Sequence, residues 1–151
     1  MATLDEIRKE LDKDELDYPE LAHAYGPAVL PHLRALVAED EPRIAPKAAY
    51  LAGIISTDAS HEVVALAARS RHDVIRVAAA AAARSLPAEH GVSLTSRLLD
   101  DSDSGVRIRA MKSAAAINNP ELTARLKTMS EQDHDATVRG LAASTYRRML
   151  Q

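Results

Sequence analysis

The sequence predicts an all-α fold built as a stack of about four helical hairpins behind an N-terminal helical segment. A self-match predicts it first. Ile44, Ile75, Val106 and Val138 lie 31, 31 and 32 residues apart. Four positions on come Ala48, Ala79, Ala110 and Ala142; eleven on come Ile55, Leu86, Ile117 and Met149. A period near 31 residues marks stacked supersecondary units. Composition agrees. The chain has 29 Ala and no Phe, Trp or Cys, which favours helix and removes strand-favouring aromatics. With so little bulk per side chain, a core must come from many small contacts, each buried methylene contributing ~0.8 kcal/mol.

The elements follow in order. Residues 3–13 read as an amphipathic helix, with Thr3 and Glu6 in capping-box spacing and Leu4, Ile7 and Leu11 on its apolar stripe. Pro19 suits the first turn of a second short helix ending at Tyr25. This part, residues 1–26, does not fit the 31-residue frame and reads as an N-terminal acidic cap, since end units of a stack are atypical. Pairs then follow in units of about 27–57, 58–88, 89–118 and 119–151. Helix 27–39 pairs with 43–56. Thr57 to Ser60 links to helix 61–69, which pairs with 73–86, ended by Pro87. Helix 91–100 leads through the turn 101–105 to helix 105–117, capped by Asp103 or Ser104. Asn118–Asn119–Pro120 stops and restarts the chain. Helices 120–130 and 136–150 form the last pair, joined, like the others, by a short link.

These segments resemble HEAT repeats. RLLDDSDSGVRIRAMKSAAAI (97–117) carries the acid-rich turn, the Val-Arg pair and the small residues of that family. SRHDVIRVAAAAAARSL (70–86) and DHDATVRGLAASTYRRM (133–149) are similar, and EDEPRIAPKAAYLAGII (39–55) is the weakest copy, with Ala45 in the arginine position and Pro46 after it. The resemblance implies a right-handed α-α superhelix whose second helices line the concave face. It also implies a structural ladder between turn acids (Glu39, Asp101 and Asp133, with Ser70 departing) and Arg76, Arg107 and Arg139. At 100° per residue, the position after the Val lies about 80° from the centre of the core stripe, toward the neighbouring unit. A row of ligand-binding arginines is the alternative reading of those positions.

The same wheel defines a strip opposite the core: Pro46, Tyr50 and Gly53; Val77, Ala81 and Arg84; Ile108, Lys112 and Ala115; Gly140, Ser144 and Arg147. Arg84, Lys112 and Arg147 supply one base from each of the last three units, and the strip holds no acid. An apolar floor of Val77 and Ile108 beside bases suits an acidic peptide or helix. Tight curvature would instead bury Val77 and Ile108 against adjacent repeats. Tyr50 is the only aromatic on the strip and the expected anchor.

Charge is divided unevenly. The chain carries −3 in all, and residues 1–20 carry −5, leaving a body at +2. That is a weak footprint for duplex nucleic acid. The acidic segment reads as a solvated cap or as a helix lying across the basic strip. Without cysteine there is no disulfide and no thiol nucleophile. No apolar run approaches the ~20 residues that span a bilayer, and the N-terminus has no signal-peptide stretch, so a cytoplasmic monomer is expected.

Catalytic signatures are missing from the pattern. The six His, at 23, 32, 61, 72, 90 and 134, form no HExxH and no pair at ligand spacing with an acid, so no metal or other cofactor is implied. Five scattered glycines give no phosphate-cradling loop, and no nucleophile is flanked recognisably. The expected class is a non-enzymatic protein-interaction module: an adaptor, scaffold or regulatory subunit. Two alternatives come from resemblance to other short helical stacks. One is a bilin-lyase-like chromophore attachment factor. The other is a nucleic-acid-binding protein like the alkylpurine DNA glycosylases, which need aromatics around a base.

Overall fold

The computed structural model describes residues 1–151. It contains ten α-helices and no strand: α1 (Leu4–Leu11), α2 (Tyr18–Tyr25), α3 (Leu30–Ala38), α4 (Ala45–Ile55), α5 (Asp58–Ala67), α6 (Asp73–Ala83), α7 (Ala88–Leu98), α8 (Ser104–Ile117), α9 (Pro120–Gln132) and α10 (Ala136–Met149). A single 3₁₀ turn, Pro27–Val29, precedes α3. Pro31 has no N–H to return to Pro27, and the Leu30 N–H bonds Pro27 O instead, tightening the entry.

Two helices begin earlier than their sequence pattern suggests. The Thr57–Ser60 link is the start of α5 itself: the Thr57 N–H donates to Ser60 Oγ at 3.0 Å. Pro87 does not end α6, which stops at Ala83 instead of the expected 86. It is the N-cap of α7, where its missing N–H costs nothing. Asp103, Asp135, Asp17 and Thr3 cap four other helices, each side chain accepting from the backbone N–H three residues on.

The helices form two rows. First helices α3, α5, α7 and α9 lie on one side; second helices α4, α6, α8 and α10 lie on the other. Consecutive second helices pack on one another along the whole row, whereas of the first helices α3 and α5 pack closely and α5–α7 and α7–α9 touch only lightly. From α5 to α10 the second-helix row is therefore the more compressed side. The N-terminal segment extends both rows, with α1 against α3 and α2 against α4. One apolar core of 34 buried residues runs through the whole. Its frame positions Ile75, Val106, Val138, Ala48, Ala79, Ala110 and Ala142 are fully buried, and Ile44 is nearly so.

Small side chains permit the close second-helix row. A Cβ on Gly53 would lie 2.8 Å from Ala82 O and 2.9 Å from Ala82 Cβ. Ser113 Oγ on α8 donates to Ala80 O on α6. Gly53 and Ala81, assigned to the open strip by the wheel, are buried, because that wheel treats each helix without the neighbour that follows it.

Gly53→Ala should therefore destabilise by about 1–3 kcal/mol through overpacking. Gly140→Ala is the control. Its Cβ meets nothing within 4 Å, and it should stabilise by up to about 1 kcal/mol through better helix propensity. Chemical denaturation of both variants checks the pair.

Candidate interaction surface and the arginine ladder

The turn before each second helix builds a repeated device. Asp101 Oδ1 accepts the Asp103 N–H at 2.9 Å, and Asp133 Oδ1 accepts the Asp135 N–H at 2.9 Å. Each carboxylate, held by its own turn, receives an arginine from the preceding hairpin. Arg76 donates through Nε and Nη2 to Asp101 at 3.0 and 3.2 Å. Arg107 donates likewise to Asp133, both bonds at 3.0 Å. The third nitrogen, Nη1, turns back to its own turn: Arg76 to Ser70 O and Arg107 to Asp101 O, each at 3.0 Å. Such bidentate, charge-assisted pairs fix orientation as well as adding energy.

The two rungs differ in depth. The Arg107 and Asp133 side chains are 4% and 6% exposed, against 16% and 10% for Arg76 and Asp101. Burial alone would raise the Asp133 carboxyl. The Asp135 N–H and the Arg107 guanidinium outweigh it, and the carboxyl titrates below its ordinary value. At Arg76 the bond it donates to Asp101 prevails over burial and raises the guanidinium further.

The ladder changes at both ends. Between the first two full hairpins the arginine position is Ala45 and the acid position is Ser70, so both partners are replaced together. Ser70 Oγ donates to Asp40 instead, and Arg71 Nε lies 3.2 Å from the same carboxylate. Glu39 does not meet a ladder arginine. It pairs bidentately with Arg8 of α1, tying the N-terminal segment to α3. Arg139 keeps only its main-chain anchor, Nη1 to Asp133 O at 2.7 Å. Arg8 and Asp40 were not singled out in the sequence; the joint loss at Ala45 and Ser70 was the available signal that this junction is bonded differently.

The strip residues fall into three groups. Arg84, Lys112 and Arg147, on or at the end of α6, α8 and α10, are exposed and make no ion pair or side-chain hydrogen bond. Val77 and Ile108 are half-buried and pack on the core. Tyr50 is half-buried and edge-on to Tyr18 of α2, ring centroids 4.8 Å apart at 74°. The expected anchor therefore already has an aromatic partner from within the chain. The acidic segment extends the helix row rather than crossing the strip: Arg43 pairs with Asp12 at 2.7 Å, and Lys47 Nζ bonds Lys13 O at 3.0 Å. None of the five principal clefts is lined by Arg84, Lys112 or Arg147. The strip is an open surface.

On the first-helix side, His61 of α5 stacks on His90 of α7, centroids 4.2 Å apart at 15°. His61 Nδ1 is buried without a partner. Burial first, then His90 and Arg97, lower its pKa below the ordinary 6.5. No group of three His, Cys, Asp or Glu is arranged to hold a metal ion, and no helix is long and apolar enough to cross a membrane.

Stacked antiparallel hairpins locked by turn-to-helix rungs define a helical-repeat solenoid. The family model for HEAT repeats matches residues 60–147, more than half of the chain, and the protein belongs to that family. The match spans α5 to α10 and leaves out α4, the helix without a rung arginine. No curated protein matches the chain. HEAT repeats are commonly protein-interaction modules.

Asp133 sets a pH dependence. Its native pKa is depressed, so its contribution is present above the ordinary carboxylate pKa of 3.8 and is lost as pH falls through the native value. Asp133→Asn should lower the melting temperature at pH 7 and narrow the difference from wild type as the solution is acidified, read from melting curves between pH 7 and pH 3.

Proposed function

We propose that the protein is a non-enzymatic interaction module, an adaptor or scaffold, that holds an acidic peptide or amphipathic helix along its second-helix face from α6 to α10. One observation carries this reading. Arg84, Lys112 and Arg147 are three exposed cations without a carboxylate partner, whereas the ladder arginines Arg76 and Arg107 are engaged. The half-buried Val77 and Ile108 give the same face an apolar component.

Charge and shape both favour a linear protein segment. An open surface with unpaired cations recruits acids by long-range attraction and fixes register at short range. Small-molecule sites are concave pockets, and the principal clefts lie elsewhere. Readings as a pigment-attachment or nucleic-acid protein need aromatics around a planar group, and the one aromatic of this strip, Tyr50, is packed against Tyr18. Pairing Tyr50 with Tyr18 also shortens the expected groove. The bound segment would occupy the last three second helices, not all four.

The test is anisotropy of a labelled Glu/Leu-rich amphipathic helical peptide titrated with wild type and with the Arg84→Glu/Lys112→Glu/Arg147→Glu variant. Reversal should weaken binding at least about tenfold, since the lost attraction becomes repulsion, and leave the melting temperature within a degree or two. Equal affinity in the two proteins would overturn the reading.

A further inference from the structure

Every internal second helix covers one stripe with the helix that follows. On α4 the stripe is Ala45, Ala49 and Ala52; on α6 it is Arg76, Ala80 and Ala83; on α8 it is Arg107, Met111 and Ala114. All of these are buried except Arg76, which is half-buried on its rung. The same stripe on α10 is Arg139, Ala143 and Tyr146, all half-buried, and Leu150 beside it is 63% exposed. The rung geometry states what this face lacks. Arg76 and Arg107 each spend Nη1 on their own turn and Nε and Nη2 on the next turn's carboxylate. Arg139 spends Nη1 in the same way, and its Nε and Nη2 have no acceptor.

The opposite end of the stack offers the complement. Each ladder acid stands two residues before the N-cap of its second helix, in Asp101–Ser102–Asp103 and Asp133–His134–Asp135. The turn before α2 repeats that order as Glu15–Leu16–Asp17, with Asp17 capping through the Glu20 N–H just as Asp103 caps through Val106. Glu15 is exposed and makes no ion pair. Glu15 thus stands at the ladder-acid position of its turn, without the turn bond that holds Asp101 and Asp133, and Arg139 stands on α10 with two donors free. Net charge follows the same polarity: residues 1–20 carry −5, whereas α10 has three arginines and no acid.

We propose that the α10 face docks the α1–α2 turn of a second copy, head to tail, with Arg139 of one molecule taking the Glu15 carboxylate of the next. Tyr146 and Leu150 supply the apolar part of the contact. Such a contact joins two different surfaces, so it propagates into open chains of copies or into a ring. It uses the end of the stack and leaves the strip at Arg84, Lys112 and Arg147 free, so it stands or falls apart from the peptide-binding reading.

Sedimentation velocity on the whole chain at rising concentration tests it. At low ionic strength the mass should rise with concentration, and salt should reverse the rise. Arg139→Glu and Glu15→Arg should each weaken association about tenfold, the scale of one charge-assisted bond pair. An equimolar mixture of the two variants should restore it, because each supplies the end the other has reversed. Leu150→Asp, at a surface position that cannot disturb the core, should weaken it independently. A single-copy mass at every concentration overturns the proposal and leaves the α10 face to a different partner. Association indifferent to both charge reversals, or not restored in the mixture, overturns it equally.

Discussion

The Arg107–Asp133 rung is the interaction on which the rest of the structure turns. It is buried, bidentate and anchored at both ends by main chain: the arginine holds its own turn and the aspartate holds the next. One guanidinium thus sets the separation of two hairpins and the direction in which the second leaves its turn. The Arg76–Asp101 rung repeats this a hairpin earlier. A buried ion pair gives little net energy over an apolar substitute, so the bulk of the stability lies elsewhere, in the alanine-lined contacts between second helices. The rung fixes register. Ala-on-Ala contacts are too uniform to do that, because a helix of small residues slides without an energetic signature.

The two devices need each other. Second helices approach closely only because Gly53, Ala82, Ala80 and Ser113 leave room. That close approach brings each ladder arginine within reach of the next turn. Where the arginine is absent, at Ala45, the junction uses Asp40, Ser70 and Arg71 instead, a more exposed set. The first full hairpin also leans on α1 through Arg8–Glu39 and on α2 through Tyr18–Tyr50. The chain thus compensates for its weakest repeat with contacts from the N-terminal segment. The surface left over is an open face with unpaired bases, which is the basis of the proposed peptide binding.

Much of the architecture was legible in the sequence. The fourfold register of Ile/Val, Ala and Ile/Leu/Met positions is a core pattern, and burial of Ile75, Val106 and Val138 follows from it. The Arg76–Asp101 and Arg107–Asp133 rungs were expected from the family resemblance; what escaped were neighbour contacts that the repeat pattern does not carry. A helical wheel for one helix assigns Gly53 and Ala81 to an open face, because it has no term for the helix stacked beside them. Tyr50 was read as free because the segment carrying Tyr18 falls outside the repeat frame. The starts of α5 and α7 were placed late because Thr57–Ser60 and Pro87 read as links, when they are capping and first-turn residues. The strip bases Arg84 and Lys112 were found by phase alone, and the structure leaves them exposed.

The buried rung couples consecutive hairpins. A double-mutant cycle with Arg107→Met and Asp133→Asn, measured by chemical denaturation, tests it most directly. The two losses should be far from additive, with a coupling energy of about 1.5–3 kcal/mol, the range for a hydrogen bond to a charged group. Losses that add to within about 0.5 kcal/mol would contradict it, and would mean that the alanine-lined contacts hold the register without the rung.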